Sequence, residues 1–306
     1  MKHFIITVDT EGDNLWSYQK GDNITTLNAD YIPRFQELCE RYNFKPVYLT
    51  NYEMLCNDNY VEYVKAKEQL GLCEVGIHLH AWNNPPLYEL NAKYDGNPYL
   101  IEYPDNIMKA KFDCLYNLFV EKIGHKPTSH RAGRWAVDER YFKLLEEYDI
   151  KVDCSITPGI DWSNNLGETR GGADYNNAPK GIHYVNNVLE IPPTIRKSHY
   201  PIDGSIKHRI KSMISGNRLE LRPAICSLKQ MKYLINRLLK YDKCDYIELM
   251  IHSSELMPAG SPYFPNKTAV DNLYNDLESL FKFIKCLNFK GASLADYYNI
   301  QTNLAE

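Results

Sequence analysis

Two histidines spaced two residues apart, His78 and His80, are the side chains of this sequence with the clearest potential for chemistry. They follow a short apolar run, residues 73–77, that is typical of a strand, and Pro85 and Pro86 break the chain soon afterwards. A strand sends residues i and i+2 to the same face, so both imidazoles are expected to point the same way. Two neutral imidazoles on one face can bind a divalent metal ion when a carboxylate from elsewhere completes the site.

A pair of carboxylates with the same spacing, Asp9 and Glu11, lies near the N-terminus. Residues 4–8 before them are apolar and mostly β-branched, which predicts a buried strand of a parallel sheet. Sheets and barrels of the α/β class place their active sites at the carboxyl ends of such strands. Together with His78 and His80, the pair predicts a metal site of two histidines and one carboxylate, with one carboxylate to spare.

Predicted strands and helices alternate along most of the chain. The strands are residues 4–8, 47–50, 73–77, 129–131, 151–155, 188–191 and 246–251, and the helices are residues 30–42, 60–70, 107–123, 137–148, 228–241 and 269–287. Residues 161–181 are predicted to form a long loop, and residues 290–293 are a candidate for closing the sheet. This order indicates an α/β fold with a mostly parallel sheet and outer helices, either open or closed as a barrel. The 306 residues contain no repeat or linker, which favours a single domain.

Composition excludes several classes of function. A net charge of −4, with dispersed lysines and arginines, provides no basic surface for nucleic acid or an anionic membrane. Because the sequence has no long apolar run and enters a strand directly after its first residues, we expect no transmembrane segment and no cleavable signal. Its eight cysteines are dispersed and form no C-x-x-C pair, so we expect reduced thiols and a cytoplasmic location. The 24 tyrosines suit either a core or a sugar-binding cleft.

Three further polar clusters lie at predicted strand ends. Arg131 is followed by Trp135, and an arginine beside a carboxylate favours its ionised form. A second cluster runs over residues 153–162 and ends in Asp161 and Trp162. In the third, a buried strand ends in His252, and a histidine there suits a general acid because its ordinary pKa is near neutrality.

Read in order, the five clusters resemble the motif series of the NodB-homology polysaccharide deacetylases, carbohydrate esterase family 4, in its D-x-E variant. The resemblance implies that Asp9 is the catalytic base, that Glu11 and His78 bind metal, and that Arg131 orients the base. It also implies that His252 is the catalytic acid. The resemblance covers residues from about 4 to 298, and implies a distorted (β/α)7-type barrel over residues 1–306 that binds zinc, or cobalt, manganese or nickel.

Two departures from the family pattern limit the assignments. The family spaces its metal-binding histidines four apart, but position 82 here is Trp82, so the ligand role of His80 rests on the strand period. The fourth motif is loose, and either Asp153 or Asp161 is its aspartate. Trp82, Trp135, Asp161 and Trp162 are expected to contact the substrate.

The expected function is therefore metal-dependent removal of an N-acetyl or related acyl group from a sugar, in a cytoplasmic step of surface-polysaccharide assembly. The carbohydrate could be free, nucleotide-linked or lipid-linked. A basic group at residues 207–211 is a candidate contact for a diphosphate, although a solvated helix face explains it more simply.

Three other functions remain open. A non-haem iron oxygenase uses two histidines and one carboxylate, but it usually has an antiparallel barrel. A glycoside hydrolase would use Asp9 and Glu11 as its carboxylate pair. A degenerate barrel that only binds glycan would fit the departure at Trp82.

Overall fold

A computed structural model of the chain describes residues 1–200, 216–242 and 244–303. Its centre is a curled sheet in the strand order β10-β1-β2-β3-β4-β5-β7-β6, with β11 paired to the start of β1. The strands are β1 (Lys2–Thr10), β2 (Pro46–Thr50), β3 (Glu74–Leu79), β4 (Ser129–Ala132), β5 (Val152–Asp153), β6 (His183–Val185), β7 (Val188–Glu190), β8 (Ile195–Ser198), β9 (Asn217–Glu220), β10 (Tyr246–His252) and β11 (Phe289–Gly291).

From β10 through β7, neighbouring strands of the sheet pair in parallel. The strands β8 and β9 connect the β10 edge of the sheet to the residues that follow β7. β6 pairs antiparallel to β7, and β8 and β9 form a separate antiparallel pair. The amide of Met250 on β10 donates to the carbonyl of Leu221 (3.1 Å), and the amide of Leu221 donates to the carbonyl of Thr194 (3.0 Å). The expected single-domain α/β fold with a distorted, barrel-like parallel sheet is confirmed.

Helices cover the outside of the curled sheet. They are α1 (Ile32–Arg41), α2 (Tyr52–Leu55), α3 (Asp58–Gln69), α4 (Asp105–Ile123), α5 (Glu139–Glu147), α6 (Leu228–Arg237), α7 (Lys267–Cys286) and α8 (Leu294–Asn303). Their ends follow local sequence signals. Asn266 caps α7 by accepting from the amide of Ala269 (2.9 Å), and Gly124 ends α4 with a φ of 99°, which glycine adopts without strain. No helix among the described residues is both long and apolar enough to cross a membrane.

The alternation of β1 decides which side chains face the barrel interior. Phe4, Ile6 and Val8 pack outward in the main hydrophobic core, whereas Ile5 belongs to a second buried cluster with side chains of β2, β5 and β7. The residues that share the face of Ile5 are Thr7 and Asp9. The apolar end of this inner face is closed by α8, and its polar end holds the site described below.

The structure differs from the predicted elements at several points. β3 continues through His78 to Leu79 because β2 and β4 flank it on both sides. α6 ends at Arg237 and a π-type turn, Leu238–Asp242, follows it. The short strands β6, β8 and β9 and the helix α8 were not predicted. The basic group at residues 207–211 lies outside the described residues.

Candidate metal centre and active site

The carboxyl ends of β1, β3, β4 and β10 meet around one cleft of about 530 Å³. The strand register aligns the functional side chains across neighbouring strands, since Asp9 pairs with His252 and His78 pairs with Arg131. Glu11 follows β1 directly, and His80 follows β3. Five of these six side chains line the cleft, and Arg131 lies buried beneath it.

Glu11, His78 and His80 converge on one point. The Nε2 atom of His80 is 3.1 Å from Glu11 Oε2, the Nε2 atom of His78 is 3.5 Å from the same oxygen, and the two Nε2 atoms are 2.9 Å apart. Ligand atoms bound about 2.0–2.2 Å from one ion lie roughly 2.9–3.5 Å from one another. The three buried side chains therefore have the spacing and the donor set of a site for a divalent metal ion.

Neighbouring groups fix the orientation of each imidazole. Nδ1 of His78 lies 2.9 Å from the carbonyl oxygen of Arg131, so it carries the proton and leaves Nε2 with a lone pair. The ring of His80 stacks on Trp82 with centroids 4.2 Å apart, and Gly133 lies directly against it. A Cβ atom at Gly133 would stand 2.3 Å from Cδ2 of His80, so only glycine leaves room for the ring there.

The pKa values of the two imidazoles are shifted in opposite directions. Burial lowers the pKa of His80 to about 3, so this imidazole is neutral at physiological pH. Burial also opposes the charged form of His78, but the carboxylates of Asp9 and Glu11 outweigh it and raise the pKa of that imidazole. A metal ion at this site would thus compete with a proton mainly at His78.

Asp9 lies beside the metal cluster and is held by Arg131. Nη1 of Arg131 donates to Asp9 Oδ1 (2.5 Å), while its Nη2 donates to Glu248 Oε1 (2.8 Å). Burial opposes ionisation of Asp9, but the positive charge of Arg131 outweighs it and, with His78 and His252, holds the pKa well below its usual range. Asp9 is therefore a carboxylate that can accept a proton.

His252 faces the same cluster from β10. Its Nε2 atom is 4.0 Å from Asp9 Oδ2 and 3.9 Å from Glu11 Oε1. Its Nδ1 atom lies 3.2 Å from Oε1 of Glu255, whose other oxygen accepts from the His252 amide (3.2 Å). Glu255 is fully buried and fixes the ring so that Nε2 points into the cleft.

Three contributors to the site were missed by the analysis of the sequence. Glu255 stands three residues after His252, which is the spacing of a capping box in the turn Ser253–Leu256. Glu248 shares the inner face of β10 with His252, and a charged residue within an apolar strand was the available signal. Arg222 also lines the cleft, with its Nη2 atom 3.3 Å from His252 Nδ1.

Aromatic side chains form much of the cleft wall. The cleft is lined by all four tryptophans of the chain, which are Trp16, Trp82, Trp135 and Trp162. Three of them were expected to contact the substrate, and Trp16 was not. Its ring lies 5.0 Å from that of His252, and its Nε1 atom donates to Ser254 Oγ (3.0 Å). Flat aromatic walls around a polar floor suit the apolar faces of sugar rings.

The two aspartates considered for the fourth motif both lie away from the cleft wall. Asp161 is exposed, accepts from the amide of Ser163 (2.8 Å) and does not line the cleft, so its contact with a substrate stays a prediction. Asp153 is buried and bonds His130 Nδ1 (2.6 Å), while His130 Nε2 lies 2.8 Å from the hydroxyl of Tyr141. Asp153, His130 and Tyr141 form a buried hydrogen-bonded group that supports the fold.

Comparisons with known proteins define the fold and leave the family open. No protein-family model matches the sequence, and no curated protein matches it either. A GH57 branching enzyme from Thermococcus kodakaraensis is similar in structure, with a TM-score of 0.55, 11% identity, and coverage of 97% of this chain and 71% of the enzyme. A 4-alpha-glucanotransferase from Thermococcus litoralis has a TM-score of 0.52 and 10% identity over 98% of this chain, which spans 38% of that enzyme's length.

A peptidoglycan deacetylase from Bacillus subtilis is also among the structural neighbours. Another is the Xyl-CE4 domain of a multidomain xylanase from the hindgut metagenome of Trinervitermes trinervoides. It has a TM-score of 0.47 and 10% identity, with coverage of 98% of this chain and 91% of that domain. At these identities the two structures with TM-scores above 0.5 are evidence for the fold alone.

Proposed function

We propose that the protein is a metal-dependent deacylase that hydrolyses an N-acetyl or related acyl group on a sugar. The observation that carries this proposal is the convergence of Glu11, His78 and His80, with Asp9 and His252 both within about 4 Å of that cluster. A hydrolysis of this kind needs a polarised carbonyl, a base for water and an acid for the departing amine. The cleft provides a candidate for each.

Glu11, His78 and His80 would hold the ion, with zinc the first candidate. When bound, such an ion polarises an acyl carbonyl and lowers the pKa of water, which favours attack at neutral pH. The carbonyl oxygen of Arg131 keeps His78 in the tautomer that offers Nε2.

Asp9 is the proposed base because Arg131 keeps it ionised in a buried position. It would take a proton from the attacking water, and His252 would donate a proton to the amine nitrogen as the C–N bond breaks. Glu255 holds Nδ1 of His252, so that the proton for the amine is delivered from Nε2. Without this proton the amine would have to leave as an anion, which is a far poorer leaving group.

The proposed substrate is a carbohydrate because of the shape and lining of the cleft. Trp82, Trp135 and Trp162 give flat apolar surfaces, whereas the polar groups concentrate at the floor beside the metal cluster. Trp135 also lies over Arg131, with 4.8 Å between the guanidinium carbon and the ring centre, so its indole is fixed close to Asp9.

Metal content tests the core of this proposal. We expect close to one divalent ion per wild-type chain, and little in Glu11→Ala, His78→Ala and His80→Ala, with the circular dichroism spectrum unchanged. His125→Ala is a matched control, because this histidine is exposed and bonds only to Glu68 and a backbone carbonyl among the described residues. Full metal occupancy in all three ligand variants would refute the assignment.

A glycoside hydrolase is the second candidate. The observation that favours it is the number of carboxylates in one cleft, where Asp9, Glu11 and Glu248 exceed what a metal site of two histidines requires. A glycoside hydrolase would release sugar even in the presence of a chelator, whereas the deacylase would release acetate and would lose this activity with the chelator. Assays of sugar and acetate release, each with and without the chelator, separate the two functions.

A further inference from the structure

One wall of the cleft carries arginines that the proposed chemistry does not use. On β9, Arg218 and Glu220 alternate with Leu219, so the strand period directs both to one face, and Arg222 follows Leu221 just beyond the strand. Both leucines are buried, and the three charged side chains line the cleft. β9 thus adds a charged strip to a cleft whose floor is acidic.

Arg222 has a hydrogen-bond donor without an acceptor. Its Nη2 atom lies 3.3 Å from His252 Nδ1 and 3.7 Å from Glu255 Oε1, and the second distance is too long for a hydrogen bond. Its Nε atom is buried and has no partner among the residues that the structure describes. Its side chain is only 13% exposed, so water reaches little of it. A buried guanidinium N–H without an acceptor is costly, and a ligand that supplies oxygens would remove that cost.

Arg218 lies on the same face, nearer the mouth of the cleft. Its side chain is 42% exposed, with Nε 2.5 Å from Glu220 Oε1 and the guanidinium carbon 6.0 Å from the ring centre of Trp162. A ligand stacked on Trp162 would therefore have this charge beside it. Arg222 at His252 and Arg218 at Trp162 give two positive groups along the path from the floor to the opening.

We propose that Arg222, assisted by Arg218, binds an anionic group, a phosphate or a carboxylate, carried by the sugar from which the acyl group is removed. The inference rests on the proposed function and specifies the charge of its substrate. A guanidinium offers paired N–H donors that match two oxygens of such a group. Such an anion would supply the acceptor that Nε of Arg222 lacks and would be attracted by both guanidinium charges, whereas a neutral sugar gains hydrogen bonds alone.

Binding followed by intrinsic fluorescence tests this inference without relying on turnover, because all four tryptophans line the cleft. The probes are N-acetylglucosamine, which is neutral, N-acetylglucosamine 1-phosphate and N-acetylmuramic acid, which carries a carboxylate. We expect at least one anionic sugar to bind on the order of 10–100-fold more tightly than the neutral one. Which of the two binds better identifies the source of the charge.

Arg222→Gln should remove most of this preference, and a circular dichroism spectrum equal to that of the wild type would show that the variant folds. Arg222→Lys keeps the charge without the paired donors and should retain part of the preference for anionic sugars. Arg34 is a surface arginine on α1 that pairs with Asp271 (3.1 Å). Arg34→Gln makes the same change in net charge and should keep the preference for anionic sugars fully. A preference due to binding at the metal would disappear with a chelator and survive in Arg222→Gln.

Equal binding of the three sugars by the wild-type protein, or a preference that survives Arg222→Gln, would overturn the anion subsite and leave the deacylase proposal standing. Failure of every probe to bind, the neutral sugar included, would count against both proposals. Acetate release from neutral substrates alone would support the deacylase and refute the anion subsite.

Discussion

At the residue scale, the environment of Asp9 separates its role from that of Glu11, although the two lie only two positions apart. Arg131 contacts Asp9, whereas the two imidazoles contact Glu11. The result is one carboxylate held ionised beside a guanidinium and one placed as a ligand. A difference in neighbours thus gives similar side chains different chemistry.

Asp9→Asn should retain the metal ion and lose hydrolysis. The amide fills the same space but cannot accept the proton of water, so the rate should fall roughly 10²–10⁴-fold. Metal analysis and acetate release on the same sample test both parts. Asp271→Asn on the surface is the control. Activity near the wild-type level in Asp9→Asn would remove this residue from the mechanism.

Glu255→Gln should lower kcat and leave KM nearly unchanged. Its carboxylate accepts a hydrogen bond from Nδ1 of His252 and fixes the ring, and Glu255 itself does not line the cleft. The loss should be smaller than the roughly 10²–10⁴-fold expected for His252→Ala. An activated aryl ester, which leaves without a proton, should be hydrolysed almost normally by both variants. Equal losses on ester and amide would mean that Glu255 only supports the fold.

The positions of individual site residues could be predicted where their spacing along a strand places them on the same face. The pairs Asp9 with Glu11 and His78 with His80 come together as the strand period predicts. Asp161 does not line the cleft, because nothing in a glycine-rich loop sequence fixes the direction of its side chain. The place of Arg222 in the site could not be predicted, because it depends on a contact with His252, thirty positions away, which no local sequence pattern contains.

At the scale of elements, the close approach of β3 and β4 positions the second histidine. Gly133 follows β4 and lies against the ring and backbone of His80, where a side chain has no space. The geometry of the metal cluster therefore depends on a residue that offers no ligand atom.

Gly133→Ala should weaken metal binding on the order of 10–100-fold, because the added methyl group displaces the ring of His80. A competition titration with a chromophoric chelator measures the affinity directly. Gly181→Ala is the matched control, since among the described residues no atom beyond its immediate chain neighbours lies within 4 Å of a Cβ placed there. Unchanged affinity in Gly133→Ala would show that His80 is not a ligand.

Helix α4 holds the segment after β3 through a buried lysine. Lys111 is fully buried and donates to the carbonyls of Asn84 (2.8 Å) and Pro86 (2.7 Å). Burial lowers its pKa from 10.5 to about 8. Between these two values the unfolded chain binds a proton that the folded protein does not, so the stability contributed by Lys111 rises with pH across this window.

The free energy of unfolding of the wild type, minus that of Lys111→Met, should therefore increase by about 2 kcal/mol between pH 7.5 and 9.5. Urea unfolding at the two pH values measures this difference, and groups common to both proteins cancel. A difference that stays constant would show that Lys111 titrates normally.

Elements were predictable where a strand is apolar and buried on both faces, as in β1 and β10. The pair β8–β9 was missed, since its antiparallel pairing depends on residues far apart in the sequence and its alternation was not recognised. β5 has only two paired residues, although the sequence of residues 151–155 is typical of a longer strand.

At the scale of the whole molecule, the curled sheet gathers side chains from distant parts of the chain at one rim. β1 lies between β10 and β2, so the N-terminal carboxylates meet His252 from the far end of the sequence. The inner apolar cluster and α8 fill the opposite end, leaving a single face for the chemistry. The order of strands explains why a site of five residues spans more than two hundred positions.

The central claim, metal-dependent deacylation of a sugar, is tested most directly by measuring free acetate. The metal-loaded protein is incubated with a panel of neutral and anionic N-acetylated amino sugars, and acetate and amine products are quantified by mass spectrometry. We predict acetate and free amine in equal amounts from at least one sugar, lost on chelation and restored by zinc. Release of sugar units without acetate, insensitive to the chelator, would contradict the claim and identify a glycoside hydrolase instead.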